Sequence, residues 1–258
     1  MGNYILEVCV DSVESAKAAV RGGADRLELC ANLVIGGTTP GISQFKQVRK
    51  ACDVPINVLV RPRYGDFLYT DHEFQMIMED VEMFRKLGAD GFVVGCLRPD
   101  GNLDTDRMKA LREKAGKGRM TLHRAFDVCR DPYRSLKEVK EIGVDTILTS
   151  GQQDTCMKGK ALLGELIREA GDETDILVGS GVNAEAIACL MEEIDARCFH
   201  MSGKVIADSG MIYRKEDVNM GIPGIGEYDI FRTDENLVSQ AKKLLEAKTC
   251  LHKSIKTG

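Results

Sequence analysis

Eight short runs of β-branched and other apolar residues alternate with amphipathic segments along the chain of 258 residues. Their starts lie about 20 to 35 residues apart, the length of one strand followed by one helix. The predicted strands are 4–9, 26–30, 56–60, 91–96, 120–125, 146–149, 175–178 and 198–201. No break in composition divides them. The pattern therefore favours a single (β/α)8 TIM barrel over a doubly wound sheet, which usually has fewer strands and a glycine fingerprint after the first.

The chain beyond the eighth strand lacks this regularity. Residues 204–232 show no clear period and contain four glycines, so we predict a long irregular segment that closes over the barrel or contacts a second subunit. Thr233 and Asp234 then cap a final amphipathic helix, and residues 250–258 are expected to fray. We predict one domain over 1–258, and a homo-oligomer is the base-rate expectation for such a barrel.

Composition narrows the partners and the compartment. The nine cysteines are odd in number and form no Cys-x-x-Cys pair, which favours free thiols in a reducing compartment. No apolar run approaches the ~20 residues that span a bilayer, and the first strand begins too soon after Met1 for a signal peptide. We therefore expect a cytoplasmic protein without membrane contact. A net charge of −5 without a basic stripe argues against nucleic acid, and no motif predicts a nucleotide cofactor.

Polar side chains at the carboxyl ends of the strands predict the site, because active sites of this fold lie on that face. The first two strands end in Glu7-Val8-Cys9 and Glu28-Leu29-Cys30. Side chains two apart share a face of a strand, so each strand presents a carboxylate beside a thiol. Glu7 and Glu28 are candidate catalytic carboxylates, whereas free cysteine is more commonly a small core residue.

The fifth unit supplies two more catalytic candidates in the segment from His123 to Asp127. Imidazole titrates near neutral pH, so His123 is a candidate general acid or base, and Asp127 could orient it or neutralise an arginine. A structural histidine is the alternative.

Several strand ends also carry groups suited to an anion. Arg61 and Arg63 could bind a carboxylate or phosphate through bidentate hydrogen bonds, or serve as counter-ions to the glutamates. Small residues that lead into a helix can turn backbone amides toward an anion, although they also form plain tight turns. The predicted anion-binding residues are Arg61, Arg63, Arg124, Ser150, Gly151, Gly179, Ser180, Gly181, His200 and Ser202.

The chain contains a series of motifs in a fixed order: Glu-x-Cys in both first strands, Gly-Gly-Thr-x-Pro, Arg61-Pro-Arg63, His123-Arg-Ala-Phe-Asp127, Thr149-Ser-Gly and Gly179-Ser-Gly-Val. Taken together, these motifs resemble the CutC family. Gln152 stands where the resemblance implies a second glycine. The family is described as cytosolic copper-homeostasis proteins with a TIM-barrel fold. The resemblance implies a role in copper homeostasis and a Cu(I) cofactor, with the thiols of Cys9, Cys30 and Cys96 as candidate ligands.

Two functions follow from these residues, and the sequence does not decide whether the chain is an enzyme. In the first, it is a copper-homeostasis protein that binds Cu(I). In the second, it is a barrel enzyme of unknown reaction acting on a small anionic or phosphorylated metabolite, since a site for Cu(I) alone has no use for Arg61, Arg63 and Arg124. A barrel that serves only as an interaction module ranks last, because it leaves the polar rim unexplained.

Overall fold

The computed structural model describes residues 4–256, with side chains described through residue 248. Eight parallel strands close into a barrel in chain order. They are β1 (Ile5–Val10), β2 (Arg26–Leu29), β3 (Ile56–Leu59), β4 (Gly91–Val94), β5 (Arg119–Leu122), β6 (Thr146–Thr149), β7 (Asp175–Val178) and β8 (Cys198–Met201). The predicted (β/α)8 barrel is confirmed.

Helices surround the barrel and cover its outer face. They are α1 (Val13–Arg21), α2 (Ile42–Ala51), α3 (Asp71–Lys86), α4 (Thr105–Ala115), α5 (Pro132–Ile142), α6 (Lys160–Ala170), α7 (Ala184–Glu193) and α8 (Glu235–Lys256). Two short 3-10 helices, Leu33–Ile35 and Arg124–Val128, follow β2 and β5. None of the helices in the described part is long and apolar enough to cross a membrane.

The period-2 alternation of the strands separates two environments. Leu6, Val8 and Val10 of β1 join the main apolar core with residues of the surrounding helices. The alternate residues, Glu7 and Cys9, face the barrel interior with the corresponding residues of β2. The interior consequently contains a polar layer that the outer core does not share.

The segment 204–232 is not irregular throughout, which corrects the prediction. Its ends belong to β9 (Lys204–Asp208) and β10 (Asp229–Thr233), which pair in antiparallel fashion. Thr233 anchors this pair to the barrel, because its N–H donates to Ser15 Oγ (3.1 Å) and its hydroxyl donates to the Ser202 carbonyl (3.1 Å). Two short strands so far apart in sequence leave no hairpin signal for a local pattern to detect.

The last helix is longer than predicted. Helix α8 continues to Lys256, and the expected fraying of 250–258 stays a prediction. Residues 257 and 258 lie outside the described residues.

Strand β5 ends three residues earlier than predicted, and this change brings His123 into the barrel mouth. The His123 N–H still donates to the Val94 carbonyl (3.0 Å), but the chain then turns into the 3-10 helix. The turn is capped by the imidazole itself, since His123 Nδ1 accepts the N–H of Ala125 (3.2 Å). The turn of the backbone therefore fixes the orientation of the ring.

Candidate functional site

A cavity of about 560 Å³ opens at the carboxyl ends of the strands. Ten of the residues predicted for the site line it, namely Cys9, Glu28, Arg61, His123, Arg124, Asp127, Ser180, Gly181, His200 and Ser202. The lining does not include the other seven, which are Glu7, Cys30, Arg63, Cys96, Ser150, Gly151 and Gly179. The predicted residues thus divide into a group at the cavity and a group away from it, and their roles stay predictions.

Glu7 lies beneath the cavity as the centre of a buried ion network. Arg26 Nε donates to Glu7 Oε2 (2.5 Å), Asn57 Nδ2 donates to the same oxygen (3.2 Å), and His200 Nδ1 lies 2.7 Å from Oε1. Burial raises the pKa of Glu7, but Arg26 and His200 outweigh burial and lower it to about 2. Glu7 therefore remains ionised, which corrects its prediction as a group that transfers protons.

Glu28 has the opposite environment, although it lies on the neighbouring strand. Its side chain is 5% exposed, and among the described residues no group donates a hydrogen bond to Oε2. Burial and the charge of Glu7 raise the pKa of Glu28 to about 7, against the opposing charges of His200 and Arg26. The two neighbouring carboxyls therefore have pKa values that their environments drive apart, a pattern that often accompanies separate roles.

The Glu28 carboxyl makes a pH-dependent contribution to stability. The folded chain retains this proton up to about pH 7, whereas an unfolded glutamate loses it near 4.5. The free energy of unfolding therefore falls as the pH rises from 4.5 to 7. We predict that Glu28→Gln removes this loss and makes the variant more stable than the wild type at pH 8, by up to about 3 kcal/mol. Urea unfolding of both proteins at pH 5 and pH 8 measures this effect. If the difference in free energy of unfolding between the two proteins were the same at both pH values, the raised pKa of Glu28 would be contradicted.

His123 is a neutral hydrogen-bond donor, not the predicted general acid or base. Burial and the charge of Arg61 lower its pKa to about 3. Since Nδ1 accepts the Ala125 N–H, the ring proton resides on Nε2, which is buried and has no partner in the described part of the chain. The ring of Phe67 packs against the imidazole at a centroid distance of 4.6 Å.

His200 is the cationic member of the site. Burial lowers its pKa, but the neighbouring Cys9, Glu28 and Glu7 raise it well above the ordinary value. The Nδ1 atom then donates to Glu7, so the ion pair spans β8 and β1. The imidazolium holds positive charge in the wall of the cavity.

Glu7, Glu28 and His200 bring ligand atoms within 4.8 Å of one another, which is close enough to surround a metal ion. The charges argue against this use. Glu7 is already paired with Arg26, and a divalent cation in the cluster would face that guanidinium at short range. We therefore treat the cluster as an ion network and not as a metal site.

Arg61 enters the cavity wall from the loop after β3. Its Nη1 donates to the carbonyls of Gly36 (3.3 Å) and Gly37 (3.1 Å), and its Nη2 donates to the Gly65 carbonyl (2.8 Å). Gly37 has φ +83°, and a Cβ there would lie 2.7 Å from Leu59 Cδ2, so the loop can approach the guanidinium only with glycine. No carboxylate of the described residues forms an ion pair with Arg61.

Arg63 points away from the cavity, which corrects its prediction as an anion ligand. Its guanidinium pairs with Glu73 (2.6 Å) and Asp66 (2.9 Å) and stacks on Tyr69 at 5.3 Å. It is not a counter-ion of the interior glutamates either. The counter-ion is Arg26. Its position two residues before Glu28, on the same face of the strand, was the signal in the sequence that could have identified it.

Asp127 occupies the loop after β6 that was predicted to bind an external anion. Its carboxylate accepts hydrogen bonds from the backbone N–H groups of Ser150 (3.0 Å) and Gln152 (3.1 Å) and from the Thr149 hydroxyl (2.5 Å). Arg124 Nε donates to it at 2.6 Å. Ser150 and Gly151 are therefore not available to a ligand, because a side chain of the protein already supplies the anion.

Gln152 explains how this loop closes without a second glycine. Its φ is +57°, in the left-handed region where the resemblance implied glycine. The side-chain Nε2 donates to the carbonyls of Cys129 (2.8 Å) and Phe126 (3.2 Å). These bonds join the loop to the 3-10 helix that carries Asp127 and offset the backbone strain.

The three candidate copper ligands do not converge. Cys9 lines the cavity, whereas Cys30 packs with Leu59 and Val93 and its thiol donates to the Val10 carbonyl (3.6 Å). Burial and the nearby Cys9 raise the pKa of Cys30 well above its usual value. Cys96 lies in the main apolar core, where burial and Asp104 raise its pKa to about 12. At most two thiols are thus available to Cu(I), and Cys96 is not a third.

Comparison with known proteins identifies the family. A model of the CutC family matches residues 4–205. The chain belongs to the CutC family. Family protein CutC from Bacteroides fragilis (strain YCH46) is 42% identical over 250 residues, covering 96% of this chain and 99% of that protein. A human relative, named copper homeostasis protein cutC homolog, is 38% identical over 232 residues and covers 90% of this chain and 85% of its own.

Solved structures agree with this assignment. A CutC structure from Streptococcus agalactiae superposes with a TM-score of 0.74 at 27% identity, covering 77% of this chain and 98% of that one. N-(5'-phosphoribosyl)anthranilate isomerase from Pyrococcus furiosus superposes with a TM-score of 0.56 at 14% identity, covering 95% and 100% of the two chains. The second likeness is one of fold alone.

Proposed function

We propose that this CutC-family chain is an enzyme that moves a proton on a small anionic metabolite at the mouth of its barrel. Glu28 carries the proposal. It is a buried carboxyl that lines the cavity and has an oxygen without a partner in the described part, and burial raises its pKa to about 7. A carboxyl used only for packing would gain nothing from this environment, since burial without a partner costs free energy.

The charges of the cavity favour an anion. Arg61 contributes a guanidinium that no described carboxylate neutralises, and Lys204 lines the same cavity with its ammonium 4.7 Å from the Phe231 ring. The imidazolium of His200 adds a third positive group, and Glu7 offsets only part of it, because Glu7 is shared with Arg26. A ligand with a carboxylate or phosphate would restore the balance.

The ion network under the cavity affects the pKa of Glu28 and so supports its role in proton transfer. Burial disfavours ionisation of Glu28 most strongly and the negative charge of Glu7 adds to this effect, while the charges of His200 and Arg26 favour ionisation. These opposing effects hold both protonation states of Glu28 within reach at neutral pH, which is the requirement for a group that both accepts and returns a proton. Glu7 is then a positioning residue and Glu28 the catalytic one.

A role in copper homeostasis, with Cu(I) held by Cys9 and Cys30, is the second candidate. Cys9 lies in β1 and Cys30 follows the neighbouring strand β2, and the human relative is named for copper homeostasis. Thiolates are preferred Cu(I) ligands. The raised pKa of Cys30 opposes metal binding, since the thiol must lose its proton. A cytoplasmic location would suit either function, and the eight cysteines in the described part are free thiols. The homo-oligomer stays a prediction.

Binding of inorganic phosphate and of Cu(I) to one set of variants distinguishes the enzyme from the copper-homeostasis protein. We expect inorganic phosphate to stabilise the wild type against thermal unfolding and to lose most of this effect in Arg61→Lys, because lysine cannot keep both the loop carbonyls and the anion. Arg63→Lys is the matched control, since its guanidinium lies outside the cavity. The variant with both Cys9→Ser and Cys30→Ser should retain the phosphate effect.

The same proteins are titrated anaerobically with Cu(I) against a competing chelator. Tight stoichiometric binding that disappears with Cys9→Ser and Cys30→Ser, together with no phosphate effect in the wild type, would overturn the enzyme proposal in favour of copper. Weak Cu(I) binding that is unchanged by Cys9→Ser and Cys30→Ser would exclude the two-thiol site.

A further inference from the structure

Three side chains of the cavity wall each present a buried polar atom that no other group satisfies. Among the described residues, Arg61 Nε, His123 Nε2 and Glu28 Oε2 have no hydrogen-bond partner, and all three residues line the cavity. Buried polar atoms are almost always paired in folded proteins, so three together point to a ligand that pairs them. Two are donors, and the third belongs to the carboxyl proposed to carry a proton.

The Arg61 donor has a fixed direction. The other two nitrogens of the guanidinium are bonded to the carbonyls of Gly36, Gly37 and Gly65, and the group lies over the Phe67 ring at 5.1 Å. The Nε–H and the second N–H of Nη2 are therefore the parts of the guanidinium that are left for a ligand. Its positive charge strengthens the bond to an oxygen that becomes negative.

The His123 donor is fixed in the same way. Its Nδ1 accepts the Ala125 N–H, its ring packs on Phe67, and its charge state is neutral, so it presents one Nε2–H and does not release it as an acid. Gly95 lies against this ring, where a Cβ would come within 2.6 Å of His123 Cε1. A neutral imidazole held like this can donate to a developing oxyanion without competing with the base, as the neutral histidine of triosephosphate isomerase does.

We infer that the substrate is an enolisable carbonyl compound bearing an anionic group, with Arg61 and His123 donating hydrogen bonds to its carbonyl oxygen while Glu28 removes a proton from the adjacent carbon. This inference rests on the proposed function. The C–H bond breaks and its electron pair forms a carbon–carbon double bond, while the carbonyl π pair moves to the oxygen. Returning the proton to the same carbon exchanges its hydrogen. In an α-hydroxy carbonyl compound, returning it to the former carbonyl carbon isomerises the compound, because the hydroxyl proton passes to the former carbonyl oxygen and the hydroxyl carbon becomes the new carbonyl. Atoms and electrons balance without a redox partner.

Exchange of carbon-bound hydrogen in D₂O tests the step. The intact chain is incubated at neutral pH with pyruvate, hydroxypyruvate or dihydroxyacetone phosphate, and loss of the α C–H signal is followed by NMR. We expect at least one compound to exchange about 100-fold faster than without protein. Glu28→Gln should return the rate to background, and His123→Asn should lower it by about 10-fold to 100-fold. Glu113→Gln, an exposed glutamate of α4, is the matched control.

Oxalate, a planar mimic of an enolate, gives a readout independent of turnover. It should bind at least about 10-fold more tightly than acetate, and His123→Asn should remove the preference. If phosphate binds through Arg61 but none of the three compounds exchanges and oxalate shows no preference, the inference is overturned while the proposed function stands. If no anion binds and Glu28→Gln changes no rate, the proposed function fails as well.

Discussion

Glu7→Gln lowers the free energy of unfolding by about 3–5 kcal/mol, because it leaves two buried cations without their shared carboxylate. Glu7 is fully buried, and its two oxygens serve Arg26, Asn57 and His200 at once. Glutamine keeps the shape of the side chain but turns an NH₂ group toward one of these donors. The loss should therefore reflect charge and hydrogen bonding and not a cavity in the core.

Thermal unfolding measures this effect as a fall in midpoint on the order of 10 °C for a chain of this size. Glu235→Gln is the matched control, since Glu235 pairs with Arg21 at the surface and should show little change. Adding Arg26→Gln to Glu7→Gln should recover part of the loss, because the double change removes one orphaned charge together with its partner. A midpoint that does not move for Glu7→Gln would contradict the ion network.

The barrel could be predicted from the sequence because the two patterns that specify it, the spacing of the strands and the alternation within each strand, are both local. Apolar runs at regular spacing define the strands, and period-2 alternation predicts that Glu7 and Cys9, like Glu28 and Cys30, share one strand face. Confinement of most polar strand ends to one cavity follows from the parallel arrangement alone. The pair β9 and β10 was missed because the two short strands are far apart in sequence and leave no hairpin signal.

The roles of the site residues could not be predicted in the same way. Arg61 and Arg63 are two apart and look equivalent in sequence, but Glu73 of α3 draws Arg63 outward while glycine carbonyls hold Arg61 at the cavity. The protonation states of Glu28 and His123 depend on burial and on charges from other strands. Cys96 was grouped with Cys9 by type, although the chain beyond β4 carries it into the outer core.

Asp127 illustrates the same limit, because a side chain of the protein takes the place that an external anion was expected to fill. Two loop amides, the Thr149 hydroxyl and Arg124 all donate to its carboxylate, whose side chain is 5% exposed. Its substitution should consequently disturb the β6 loop and the cavity wall together.

We predict that Asp127→Asn lowers the free energy of unfolding by about 2–4 kcal/mol, since the amide nitrogen cannot accept the hydrogen bonds that one carboxylate oxygen now accepts. Urea unfolding at constant pH measures this loss, and Asp154→Asn, on an exposed pair with Lys158, is the matched control.

Because the vacated amides would be free, acetate should bind the Asp127→Gly variant and restore part of its stability. Restoration by acetate, absent from the wild type, would show that Asp127 acts as a built-in anion, whereas equal stability of Asp127→Asn and the wild type would contradict it.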